Sequence, residues 1–176
     1  MKELNQLLTE ILGRLVTHRA DFNLDQADIG RATTKFTVRC HPADYGKLLG
    51  RQAATLKSVQ YLVACCADGT GHSVLYEMVR PTDTTPKPRA PIHLEPFVDV
   101  SPFRAMLLTA LRLALKGDAD LVKIHQSDDF TATVFELDMP AMLRRKYELL
   151  PIALDVILSA VGRNNSRPIN ITVSWR

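Results

Sequence analysis

The stretch His41–Ala67, HPADYGKLLGRQAATLKSVQYLVACCA, decides the fold. It reads as a short helix, a tight break at Gly50-Arg51-Gln52-Ala53, and a longer second helix. Pro42 suits the first turn of the short helix, where a missing N–H costs little. After the break, Leu56, Val59, Leu62 and Val63 recur at helical spacing and give one buried stripe. Gly50 lacks a Cβ, so φ can turn positive there and another backbone can come close. The helix beginning near Ala53 aims free N–H groups and the positive end of its dipole into the break, which suits a phosphate. Arg51 adds a cation at the loop tip.

The run Asp44-Tyr45-Gly46-Lys47-Leu48-Leu49-Gly50-Arg51-Gln52-Ala53 resembles the KH domain, whose GXXG loop clamps a short length of nucleotide backbone. It is most similar to the small bacterial single-KH proteins, whose pattern runs D-x-G-K-(V/L)-(I/L)-G-(K/R)-Q-G. Ala53 is the departure: it replaces the second glycine of the loop. If φ must be positive at 53, alanine is a poor residue. If 53 is already helical, alanine is ideal.

Working outward, Leu4, Leu7, Leu8, Ile11, Leu12 and Leu15 keep steps of three and four and predict a helix over 2–18. Residues 21–29 read as an edge strand, and Thr33–Cys40 as a better one, with Phe36, Val38 and Cys40 opposite Lys35, Thr37 and Arg39. A turn at 68–71 leads to a strand over 72–79. The order helix, strand, strand, helix, helix, strand is that of a type II KH domain over residues 1–80.

Five prolines, Pro81, Pro86, Pro88, Pro91 and Pro96, then mark an extended connector over 81–100. At ~3.1 Å per residue, residues 81–96 span about 50 Å. Ser101-Pro102 starts a helix that runs to Lys116, with Gly117 as its cap. Strands are expected over 120–126 and 130–138. Pro140 and Pro151 each open a helix, and Ile169 to Trp175 alternate as a final strand.

The same element order thus recurs. A shift of 98 residues lays Pro42 on Pro140, Leu56 on Leu154 and Val59 on Ile157. The expectation is α+β: two tandem type II KH-like units, α-β-β-α-α-β each, with a three-stranded sheet packed on helices. They occupy 1–80 and 101–176. In the second, Glu148-Leu149-Leu150-Pro151 falls on the loop, without glycine and with a carboxylate where phosphate would sit. Arg144-Arg145-Lys146 just upstream reads as a solvated helix face, with an RNA backbone contact as the alternative.

Composition sets bounds. The chain has 176 residues, 46% hydrophobic, and a net charge of +3, far short of a histone-like polycation. Cys40, Cys65 and Cys66 have no zinc or disulfide spacing, and Cys40 and Cys65 read as core residues in a reducing compartment. No apolar run reaches the ~18 residues of a membrane span, and the reading is cytoplasmic. The five histidines show no metal-ligand spacing. Asp128-Asp129 is a turn pair and not an acid–base dyad. No catalytic motif occurs, so neither enzyme activity, metal nor cofactor is expected.

The resemblance implies RNA-contacting residues at Gly46, Lys47, Leu49, Gly50, Arg51, Gln52 and Ala53, with Arg39 at the groove edge. Lys35 and His41 are further edge candidates; Leu48 and Leu56 are candidates for an apolar floor. The implied partner is single-stranded RNA, about four nucleotides held by the backbone. Another KH protein, ribosomal RNA or small regulatory RNAs are further implied partners. The competing reading is a protein-interaction scaffold built from degenerate KH units that has lost RNA binding. Ala53, the second loop and the small net charge favour it.

Overall fold

The computed structural model describes residues 1–30, 32–68, 70–81, 101–128 and 131–176. It contains two similar α-β-β-α-α-β units, each a mixed three-stranded sheet packed against helices.

In the first unit, α1 (Lys2–Leu15) buries the predicted leucine stripe. It ends three residues short of the expected 18. Val16 is extended, and the N–H groups of Thr17 and His18 leave the helical pattern to bond Asp44. A single 3-10 turn, Arg19–Asp21, leads to β1 (Asn23–Gly30), which is an edge strand as expected. It pairs antiparallel with β2 (Thr33–Arg39), Gln26 opposite Phe36. Thr34, Phe36 and Val38 face inward from β2, as the alternation predicts. The helices α2 (Pro42–Leu49) and α3 (Ala54–Ala67) then form the crossover that a parallel pairing requires. They return the chain to β3 (Ser73–Met78), parallel to β2 with Phe36 beside Tyr76.

The second unit repeats this plan. It comprises α4 (Ser101–Leu115), β4 (Lys123–Asp128), β5 (Thr133–Met139), α5 (Ala141–Tyr147), α6 (Leu150–Asn164) and β6 (Ile169–Trp175). β4 runs antiparallel to β5, and β6 parallel to it. The helix α4 does not stop on Gly117. It passes into a 3-10 turn over Lys116–Leu121, and Lys116 itself takes the left-handed conformation, φ 54. The proline-rich connector from residue 82 to 100 lies outside the described residues.

Burial sets the repeat register one residue longer than the prolines suggest. Phe36 corresponds to Phe135, Val38 to Leu137, Leu8 to Leu107 and Leu12 to Leu111, a shift of 99, and all of them are buried. A polar latch is repeated too. The Thr34 hydroxyl donates to Asp28 at 2.8 Å, and the Thr133 hydroxyl to Asp128 at 2.7 Å. In this register Leu149-Leu150-Pro151-Ile152, not Glu148 to Pro151, stands where Gly50 to Ala53 stands in the first unit.

The helices of the two units pack on one another. α3 lies against α6 and α4, and α1 against the same two helices. One core cluster therefore runs through both units, centred on residues such as Phe36, Phe103 and Phe135 that are fully buried. Each such side chain contributes about 1.5–3 kcal/mol. Polar contacts tie the units together. The Asn164 amide donates to the Arg14 carbonyl at 2.6 Å, Arg112 pairs with Glu3 at 3.0 Å, and Lys146 with Asp68 at 2.7 Å. Among the described residues, no helix is long and apolar enough to cross a membrane.

Candidate nucleic-acid interface

The corner between α2 and α3 is built by backbone conformation. Gly50 has φ 71 and ψ 171, and its N–H closes α2 by donating to the Gly46 carbonyl at 2.9 Å. Gln52 (φ 53) and Ala53 (φ 61) both follow in left-handed conformations. Ala53 N–H donates to the Gly50 carbonyl at 3.1 Å, which tightens the loop. The chain then enters α3 with no side chain capping its N-terminus. Of the two readings for Ala53, the strained one applies: it precedes the helix in a left-handed conformation that costs a non-glycine residue about 1–2 kcal/mol.

Gly50 is fixed by space as well as by φ. A Cβ there would lie 2.3 Å from the Thr55 hydroxyl oxygen and 2.8 Å from the Thr55 backbone nitrogen. Gly46 is different. It sits exposed on α2, and a Cβ there would meet nothing within 4 Å. Packing does not require its glycine.

Asp44, which the sequence marks only as part of the motif, anchors the corner. Its side chain is fully buried. One carboxylate oxygen accepts from the backbone N–H of His18 at 2.7 Å and of Thr17 at 3.0 Å, and lies 3.0 Å from His18 Nδ1. The other pairs with Lys47 Nζ at 2.9 Å. Burial alone would push this carboxyl up. The hydrogen bonds from His18, Lys47 and Thr17 outweigh it and hold the carboxyl well below the usual range. The His18 ring stacks on His41 at 4.0 Å, and His41 Nδ1 in turn accepts from Ala43 N–H, capping α2. The end of α1 is thereby tied to the start of α2. The spacing Asp44–Lys47, three apart on a helix, is the sequence signal for this clamp.

Gly46, Lys47, Gly50 and Arg51 line one wall of a cleft of about 540 Å³. The other wall is α6 of the second unit. Arg51 and Gln52 are exposed at the loop tip, and Ala53 is half-buried. Lys47 reaches the cleft while engaged by Asp44 and by the Thr17 hydroxyl. Leu49 is half-buried beside the loop, whereas Leu48 is core at 2% exposure. Leu56 is half-buried on α3.

Arg39 and Lys35 are not brought to this cleft. Strand alternation puts them on the opposite face of β2 from Phe36 and Val38, away from the helices. Arg39 pairs there with Asp25, and Lys35 with Glu77 at 2.5 Å.

The second unit's corner lacks the first one's conformation. Glu148 and Leu149 are both right-handed helical, so α5 and α6 join without the left-handed residues. Arg144 lies 3.9 Å from Glu148, and Lys146 sits over the Tyr147 ring while pairing with Asp68. Asp128 is occupied by Thr133, Gln126 and Arg167 and holds the β4–β5 corner. Cys40, Cys65 and Cys66 are free and buried. Among the described residues, no three histidine, cysteine or acidic side chains gather as a metal site.

Comparison with known proteins agrees with this geometry. Residues 5–78 match the family described as KhpA/KhpB, KH domain. No curated protein matches the chain. The match spans the first unit from α1 to β3 and includes the whole α2–loop–α3 corner. KH domains are RNA-binding modules, generally without catalysis. The first unit of this chain, residues 5–78, is a KH domain of the KhpA/KhpB family, followed by a second unit of similar topology.

Proposed function

We propose that the chain binds single-stranded RNA, holding its backbone at Gly50-Arg51-Gln52-Ala53. The observation that carries this reading is the run of positive φ at Gly50, Gln52 and Ala53, leading directly into the uncapped start of α3. A helix start without a side-chain cap leaves N–H groups and the positive end of the dipole for an anion. Arg51 is exposed beside it and has no carboxylate partner among the described residues. Gly46 and Lys47 extend the contact along α2, and Leu49 gives it an apolar flank. Phosphate and sugar contacts position a strand without selecting its sequence. With so few cations, affinity is modest and the salt dependence shallow.

The test is fluorescence anisotropy with labelled single-stranded RNA of mixed sequence. It compares the protein with an Arg51→Asp, Gln52→Asp double variant. Loss of binding in the variant supports the loop as the site. Equal binding in both moves the site elsewhere. No binding by the unaltered protein overturns the RNA reading.

A second reading, a protein-interaction scaffold, is favoured by one feature. In the second unit Met142, near the start of α5, and Leu149 and Ile152, at the α5–α6 corner, are 69%, 54% and 58% exposed. Exposed apolar side chains of this size mark contact surfaces when they cluster. This reading expects a protein to co-purify and nucleic acid to be absent.

A further inference from the structure

We propose that the second unit forms the far wall of the RNA groove, and that Arg163 contacts a phosphate of the strand held at the Gly50 loop. This rests on the RNA reading above and adds a role for the unit that has no loop of its own.

The cleft beside the loop is shared between the units. Lys47 and Arg51 line it from the first, and Asp155, Ser159, Arg163 and Asn164 from α6 of the second. At about 540 Å³ it falls within the roughly 300–1,000 Å³ of pockets that take small ligands. Three cations face it against one acid. That acid is already committed. Asp155 accepts the Ile171 N–H at 2.7 Å and lies within reach of the Ser159 hydroxyl, which itself donates to the Ile169 carbonyl. Asn164 is committed too, since its amide fixes α6 to the end of α1.

The two guanidinium groups are not committed. Many arginines of this chain have a carboxylate: Arg39 has Asp25, Arg112 has Glu3, and Arg167 has Asp128. Arg51 and Arg163, on opposite walls, have none among the described residues. A cation in the last turn of α6 also suits the helix dipole. That role does not require Arg163 to share a cleft with the loop.

The pseudo-equivalent junction behaves differently. Between α5 and the end of α3, the ion pair Lys146–Asp68 bridges the two units at 2.7 Å. On the side of the Gly50 loop no such ion pair links α2 or the loop to α6 among the described residues. The open junction is the one that carries the left-handed loop.

The experiment measures RNA anisotropy over a salt series for the full chain and for Arg163→Glu, Arg163→Gln and Arg104→Glu. Arg104 is exposed on α4 and does not line the cleft, so it controls for net charge. Arg163→Glu is expected to weaken binding roughly 3–10-fold and to lower the slope of log K against log salt by about 0.7, one single-strand phosphate contact. Arg163→Gln should lie between, and Arg104→Glu should stay within about twofold of the unaltered protein. Thermal melts of all variants check folding, and the glutamine variant keeps the test valid if glutamate disturbs the helix end. If Arg163→Glu behaves as Arg104→Glu while the Arg51, Gln52 variant loses RNA, the shared groove is overturned and the loop reading stands. If the unaltered protein binds no RNA, both fall.

Discussion

A Cβ placed on Gly50 would stand 2.3 Å from the hydroxyl oxygen of Thr55, a buried residue in the first turn of α3. The loop can therefore approach α3 only because position 50 has no side chain. Gly50→Ala meets both this overlap and the left-handed φ of 71. Urea denaturation should show a loss of at least about 2 kcal/mol. Gly46→Ala is the contrast. It faces open space on a helix, and should gain about 0.5–1 kcal/mol. If RNA runs along α2, the same variant should bind it less tightly.

Ala53 carries strain that glycine would relieve. Ala53→Gly removes a left-handed cost of about 1–2 kcal/mol and adds about 0.4–1 kcal/mol of unfolded-state entropy. The expected outcome is a net gain of about 0.5–1 kcal/mol in urea, with RNA affinity equal to or above that of the unaltered protein. A loss of stability would show that the loop relaxes around alanine.

Asp44 should make the protein acid-sensitive. Its folded carboxyl is held below its unfolded value near 3.9. Its contribution is thus complete above about pH 4 and fades as pH falls through the folded pKa. Asp44→Asn should cost about 1–3 kcal/mol at pH 7, by removing charge-assisted bonds to Thr17, His18 and Lys47. The difference between the two proteins should shrink as the pH is lowered below 3. Urea midpoints at pH 7 and pH 2.5 test this, and a constant difference would remove Asp44 as the source.

The thiols should be silent in the native state. Burial pushes Cys40 up to about 11, with the Asp44 charge adding to it, and pushes Cys66 up to about 12. Burial raises Cys65 as well. Thiolate is the reactive form. A disulfide reagent at pH 8 should titrate no thiol until denaturant is added, and three afterwards. Fast labelling of any one in the folded protein would contradict its burial.

Much of the fold was legible because it depends on local periodicity. The stripe from Leu4 to Leu15 and the alternation around Phe36 survive in the structure, since a face of apolar residues at the period of its element has one way to be buried. The repeat was legible in element order but not in register. The matching prolines favoured 98, whereas the packed core aligns Phe36 with Phe135. Proline position at a helix start tolerates a residue of slack, and a strand's inward face does not. The helix α1 stops at Leu15, short of 18, because a residue on another helix, Asp44, captures the N–H groups of Thr17 and His18.

By itself, the sequence determined the element types, the two-unit order and the corner at Gly50, because glycine, proline and apolar spacing act through local backbone and burial. Tertiary structure alone decided which cations meet at that corner. Arg39 and Lys35, close to the loop in sequence, are carried to the other face of the sheet by strand alternation. Arg163, more than a hundred residues away, is brought to the cleft by the packing of α6 on α1 and α3. Charge location depends on how helices dock, and docking depends on volume and shape across the shared core, which no local pattern records.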